Sequence, residues 1–325
     1  MNTDPATDPG GSLPTTGAGC TASSAARSAA GSEAAGAPVD PVVRLTGVGR
    51  VFRRSGGRQV TALDGIDLTV PRGSAFGVVG ESGSGKTTLI RIVAGLERAT
   101  SGRVEVDGID ISALPEKRLG SLRSTLQVVF QDPMGSLDPR MRIGRIVAEP
   151  LLAQRQRDGR RMERHVMQAR VAQVLGQVGL EPDIVHRYPH QFSGGQRQRI
   201  SIARAIAPDP AVLIADEAVS ALDVTVRAQI LDLIAEIAAR RSLTLIFVSH
   251  DLSVIRRICD RVAVLQSGRL VETGTTPEVY RHPRQEYTRQ LLAAVPRLAS
   301  SLAMARERAA RSTGDHPIAP REDGG

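Results

Sequence analysis

The chain has 325 residues, 41% of them hydrophobic, enough for one large core with appendages. Its net charge of +8 is spread over many segments and aromatics make up only 2%, which argues against a nucleic-acid face built from basic and stacking side chains. No run of about 18 apolar residues offers a bilayer span.

Residues 1–39 are almost all Ala, Gly, Ser, Thr and Pro with no apolar periodicity, and read as a disordered N-terminal extension. Cys20 follows Gly17-Ala18-Gly19 in the manner of a lipoprotein cleavage site, but no basic or apolar leader region precedes it. With Cys259 the only other cysteine, neither a disulfide framework nor a zinc or iron–sulfur site is expected, as in a reducing cytosol. Strands are predicted at 42–48 and 66–70. A short buried strand follows at 75–79, then a Gly/Ser-rich loop and a helix from about 86 to 96. Further strands are expected at 102–106 and 126–130. Residues 140–188 then turn helical and charged, which reads as an inserted helical subdomain.

The strand–helix rhythm resumes with an apolar strand at 211–215 and a helix whose buried face carries Val226, Ile230, Leu233, Ile234 and Ile237. Strands at 243–248 and 261–265 follow, and the chain after 296 reads as a loose tail. This alternation predicts an α/β fold with a parallel sheet covered on both faces, and ligands outside the carboxyl ends of its strands. No internal repeat is apparent, so a single nucleotide-binding module is expected over 40–295.

Gly80-Glu81-Ser82-Gly83-Ser84-Gly85-Lys86-Thr87 satisfies G-x-x-x-x-G-K-[ST] between a predicted strand and a predicted helix. Glycines let the backbone turn its N–H groups toward phosphate oxygens, and the helix N-terminus adds a favourable dipole. Lys86 is placed to reach the β- and γ-phosphates, and the Thr87 hydroxyl to ligate Mg²⁺. The chain holds only two lysines, Lys86 and Lys117. One of them therefore stands where a compact ammonium is needed and a guanidinium fork is not. The apolar run 211–215 ends in Asp216 and Glu217. Beside the phosphate loop, Asp216 would hold Mg²⁺ and Glu217 would polarise the attacking water.

The segment Phe192-Ser193-Gly194-Gly195-Gln196-Arg197-Gln198-Arg199 pairs a helix-capping serine with two glycines that expose backbone donors, a second phosphate-binding surface. Here the chain resembles the ATP-binding cassette (ABC) family, whose signature reads LSGGQ. The other family elements occur in the family's order. Gln131 in Val129-Phe130-Gln131-Asp132-Pro133 matches the Q-loop, Ser220-Ala221-Leu222-Asp223 the D-loop, and His250 in Val248-Ser249-His250-Asp251 the switch histidine. Phe52 stands where the family stacks an aromatic ring on adenine.

The resemblance implies a P-loop NTPase core of the ABC ATPase type: a mixed sheet flanked by helices, an antiparallel β subdomain, and an inserted α-helical subdomain at about 139–192. It also implies ATP and Mg²⁺, bound in a head-to-tail dimer. Gly80, Glu81, Ser82, Gly83, Ser84, Gly85, Lys86, Thr87 and Thr88 would hold ATP in one subunit. Ser193, Gly194, Gly195, Gln196 and Asp223 of the other subunit would complete that site. Metal would be held by Thr87, Gln131 and Asp216, and catalysis carried by Glu217, His250 and Gln131, with His250 contacting the γ-phosphate. The partners implied are two transmembrane permease subunits, a second ABC ATPase that is a copy or a paralogue, and an extracytoplasmic solute-binding protein. That places the chain at the cytoplasmic face of the membrane, with no nucleic acid bound.

Two departures are visible. Phe192 replaces the usual leucine, a change tolerated among peptide importers, and Ala218 stands where proline commonly follows the glutamate. The stretches 128–151 and 287–296 resemble the oligopeptide/dipeptide importer branch, which nickel, glutathione and opine-type importers share, although Gln285-Glu286 rather than His-Pro precede Tyr287. Neither lysine lies in a guanine-reading Asn-Lys-x-Asp motif, and a small-molecule kinase would lack the Ser193 signature. The remaining alternative is a soluble ABC ATPase of translation or DNA repair, whose second cassette, zinc cysteines or long coiled-coil insertion this sequence does not carry.

Overall fold

The computed structural model describes residues 40–294, apart from 54–56, 159–161 and 221. The expectations for 1–39, for the tail after 296 and for Ala221 lie outside the described residues. In chain order the first half contains β1 (Pro41–Arg53), β2 (Gln59–Pro71), β3 (Ala75–Val79), α1 (Lys86–Val93), β4 (Ser101–Val106), β5 (Ile109–Asp110), α2 (Gly120–Thr125) and β6 (Leu126–Val129). Helices α3 (Pro133–Ser136), α4 (Ile143–Asp158), α5 (Arg164–Gln177) and α6 (Gly194–Ile206) come next. Then come β7 (Val212–Asp216), α7 (Val224–Arg240), β8 (Thr244–Ser249), α8 (Leu252–Ile258), β9 (Arg261–Gln266), β10 (Arg269–Thr275), α9 (Thr276–Arg281) and α10 (Glu286–Ala294).

The strands form two sheets. One has the order β10-β9-β3-β8-β7-β6; it is parallel from β9 to β6, and β10 is antiparallel to β9. The other, β2-β1-β4-β5, is antiparallel throughout. The central strands are buried on both faces, and period-2 alternation assigns each residue to a core. Val212, Ile214, Ile246 and Val248 face the cluster that includes β1, β2, β4 and α1. Leu213, Ala215, Leu245 and Phe247 face the cluster filled by α4 to α8. Each large side chain so buried contributes about 1.5–3 kcal/mol relative to exposure.

The structure extends some expectations. β1 and β2 each run 13 residues because they pair with one another through several register shifts, well beyond the apolar segments at 42–48 and 66–70. β10 was not expected. It returns from β9 through Ser267 and Gly268, both at positive φ (48° and 80°), the two-residue turn whose twist suits a hairpin. Among the described residues between β6 and α6 the chain is helical without strands, and α4 accommodates Pro150 inside it. No helix among the described residues is long and apolar enough to cross a membrane. Because β3, β8, β7 and β6 are neighbouring parallel strands, the loops that follow them leave the sheet along one edge, where α/β sheets collect their ligands.

Candidate nucleotide site

The loop after β3 begins with a close backbone crossing. Gly80 has φ 154°, and a Cβ there would come within 2.2 Å of the Leu265 carbonyl oxygen on β9, so only glycine fits. Helix α1 starts at Lys86 with no side-chain cap, Gly85 being its N-cap, which leaves its first N–H groups facing the loop. Lys86 is 5% exposed. Its Nζ donates to the carbonyls of Gly80 and Glu81, each at 2.8 Å. Burial pulls the Lys86 pKa down, while the nearby charges of Glu217, Asp216 and Glu81 oppose that shift. Ser84 is also buried, and its Oγ has no hydrogen-bond partner. Ser82, Gly83 and Thr87 are exposed, and Thr88 is half-buried. The backbone N–H of Glu81 donates to the Tyr287 hydroxyl on α10 at 3.1 Å.

Acidic and polar groups gather at the ends of the adjoining strands. Asp216 closes β7, and its Oδ1 is buried without a hydrogen-bond partner. Burial raises its carboxyl pKa, the neighbouring Glu217 charge adds to the rise, and Lys86 and Arg91 oppose it. Glu217 has φ 46°, a left-handed conformation costing a non-glycine residue about 1–2 kcal/mol. The turn is held by the Glu217 N–H donating to Val248 O at 3.0 Å and by the Ser220 hydroxyl donating to Glu217 O at 3.0 Å. Ala218, at the position where proline is usual, is 2% exposed within this turn. The Glu217 Oε1 lies 3.2 Å from His250 Nδ1 beyond β8, and Gln131 beyond β6 donates to Ser220 Oγ at 3.2 Å. Gln131, Ser220, Glu217 and His250 thus form one polar chain drawn from three strand ends.

Ser193, Gly194, Gly195, Gln196 and Asp223 make a second group. Ser193 caps α6: its hydroxyl accepts from the Gln196 N–H at 3.3 Å, while Gln196 Oε1 accepts from the Ser193 N–H at 3.0 Å, a reciprocal capping box. Gly195 packs against α7, where a Cβ would stand 2.6 Å from Val226 Cγ1. Asp223 caps α7 by accepting from the Val226 N–H at 2.9 Å. Phe52, on β1, is half-buried with the Arg50 guanidinium 4.4 Å from its ring centroid, and Arg50 is itself paired to Glu97 at 2.6 Å. One ring face is therefore taken by Arg50, and only the other is available to a planar ligand. Sequence reasoning did not single out Ser220 as the link between Gln131 and Glu217, nor Tyr287 as a contact of the phosphate loop.

This arrangement can hold an anion and a divalent cation together. A buried carboxylate oxygen without a partner is costly, and a hard cation also bound by the Thr87 hydroxyl and by phosphate oxygens would relieve it. An anion-binding loop between a parallel strand and a helix, with paired acids ending a strand of the same sheet, defines the class of P-loop nucleoside triphosphate hydrolases. The ABC transporter family model matches residues 63–220. The oligopeptide transport ATP-binding protein OppF of Escherichia coli is 45% identical over 239 residues, covering 74% of this chain and 70% of that protein. OppF of Streptococcus mutans is 43% identical over 257 residues, covering 78% and 82%. A dimeric ATP-binding cassette in a post-hydrolysis state, bound to ADP and Pi, superposes with a TM-score of 0.65 at 29% identity, covering 72% of this chain and 98% of that one. The chain belongs to the ABC transporter ATP-binding family, and its fold and activity are those of an ABC ATPase.

Proposed function

We propose that this chain is the ATP-driven motor of a peptide importer, and that its ATP site is split between two cassettes. The observation that carries the catalytic part is the placement of Glu217: its carboxylate is 3.2 Å from His250, on a left-handed turn one residue from Asp216 and across the sheet edge from Lys86. In this reading, ATP lies along residues 80–88, with Lys86 and the loop N–H groups on its phosphates and the free face of Phe52 against adenine. Asp216, Thr87 and Gln131 hold Mg²⁺, which neutralises phosphate charge when bound. Glu217 accepts a proton from the attacking water. His250 steadies the Glu217 carboxylate and reaches the γ-phosphate, and Gln131 connects the metal side to the Glu217 turn through Ser220. Ser193, Gly194, Gly195, Gln196 and Asp223 of a second cassette, copy or paralogue, face the same nucleotide. ATP then acts as a closing force and hydrolysis releases it.

The module spans 40–295, and its helical part at about 139–192 carries motion to two transmembrane permease subunits, with an extracytoplasmic solute-binding protein delivering cargo. The chain then works as a peripheral protein on the cytoplasmic face. Peptide cargo is supported by the names of the OppF relatives, and these being transport proteins favours a transporter over a soluble ATPase of translation or repair. The reading is tested by solubilising membranes that contain the tagged chain. Recovery with two multi-spanning subunits is expected, whereas quantitative recovery on ribosomes or DNA would overturn it.

A further inference from the structure

We infer that Tyr287 is a positioning residue for the phosphate loop, acting through the peptide that joins Gly80 to Glu81. This rests on the ATP-binding reading of that loop. The peptide plane is gripped at both ends: its carbonyl, Gly80 O, accepts from Lys86 Nζ at 2.8 Å, and its N–H, on Glu81, donates to the Tyr287 hydroxyl at 3.1 Å. The next carbonyl, Glu81 O, takes a second N–H of Lys86 at 2.8 Å. The orientation of this plane therefore sets the direction of the ammonium group. It follows Gly80, a residue without a Cβ to restrict rotation, so a fixed partner on its N–H side has something to restrain.

That partner stands on a firm support. The carboxylate of Glu272, 8% exposed on β10, accepts the backbone N–H groups of Arg284 at 2.8 Å and Gln285 at 3.1 Å. This ties the start of α10 to the sheet. Thr288 is fully buried, and Leu291 and Leu292 pack against the core. Burial raises the Tyr287 phenol pKa, so the hydroxyl keeps its proton while its oxygen accepts from Glu81. A helix 206 residues further along the chain thus holds the first peptide of the phosphate loop, and the lysine is aimed before nucleotide arrives.

The test uses the full-length chain with Tyr287→Phe, Thr288→Val and Lys86→Ala, measuring the equilibrium Kd for ATP and amide hydrogen exchange over the segment containing Glu81. Tyr287→Phe keeps the ring and removes only the hydroxyl. It should raise the Kd about 3- to 10-fold, the scale of one neutral hydrogen bond, speed exchange at Glu81, and leave kcat at saturating ATP within about twofold. Thr288→Val should leave all of these unchanged. An unchanged Kd or unchanged exchange in Tyr287→Phe overturns the inference. So does a Thr288→Val effect of equal size, which would assign the result to helix packing. If Lys86→Ala binds ATP as tightly as the wild type, the ATP-site reading fails and this inference fails with it, and only that variant gives this outcome.

Discussion

Replacing Gly195 with alanine places two effects of opposite sign in competition. In a helix interior alanine is favoured over glycine by about 1 kcal/mol, an upper bound for Gly195, the second residue of α6. At this position the new Cβ would lie 2.6 Å from Val226 Cγ1, against a β-branched side chain with one strongly preferred rotamer in a helix. Overpacking of this kind costs about 1–3 kcal/mol, so contact wins and Gly195→Ala should destabilise the fold by about 1 kcal/mol. Val226→Ala alone removes two half-buried methyl groups and should also cost about 1 kcal/mol. In the double variant the obstruction is gone and any helix gain remains, so it should be at least as stable as Val226→Ala alone. The coupling is therefore about 1–2 kcal/mol, above the ~0.5 kcal/mol within which independent sites add. Thermal unfolding of the four proteins, nucleotide-free, reads this as separations of about 2–4 °C per kcal/mol. If the two single effects simply add, α6 does not sit on α7 in the way described and the glycine has another reason.

Glu217→Gln keeps the backbone bonds to Val248 and Ser220 that hold its turn. It should bind ATP normally while single-turnover hydrolysis slows at least ~100-fold; near-normal turnover removes Glu217 as the base. Asp216→Asn should raise the nucleotide-free melting temperature at neutral pH, because it removes a carboxylate whose charged form the fold disfavours, while hydrolysis is lost. The sign follows from the raised pKa: the folded chain binds this proton more tightly than the unfolded one. The penalty is therefore absent below the ordinary carboxyl range and accrues as pH rises through the raised value. The melting difference between variant and wild type should grow with pH across that window, and a constant difference would refute the assignment.

What the sequence made legible was whatever repeats locally. The strand–loop–helix around Lys86, the apolar strand ending in Asp216 and Glu217, and the Ser193 helix cap each declare themselves within about eight residues, and each is where it was expected. Non-local geometry was not legible. Gln131 meets Ser220 across 89 residues and Tyr287 meets Glu81 across 206, and no spacing rule encodes either meeting. The left-handed φ of Glu217 is imposed by partners on β8 and on its own turn, against the preference of the residue. β10 carries little apolar signal of its own and exists because the Ser267-Gly268 turn lays it against β9. The Arg50–Phe52 stack was within reach, since residues two apart share a strand face.

The capping pair bears directly on why the proposed site should need two chains. Ser193 and Gln196 satisfy one another through their acceptors: the serine oxygen takes one N–H and the glutamine carbonyl oxygen takes the other. The donors that remain at the start of α6 are the serine O–H, the glutamine amide NH₂ and the glycine N–H groups. A donor-rich surface at a helix N-terminus favours an anion. The phosphate loop is also rich in donors: Lys86 gives two of its N–H groups to the carbonyls of Gly80 and Glu81, and the N–H groups opening α1 have no side-chain cap. A polyanion lying between two such faces would be held by both. In the proposed geometry the triphosphate offers acceptors to both sides, and those of its terminal phosphate are lost when that phosphate has been cleaved and has left.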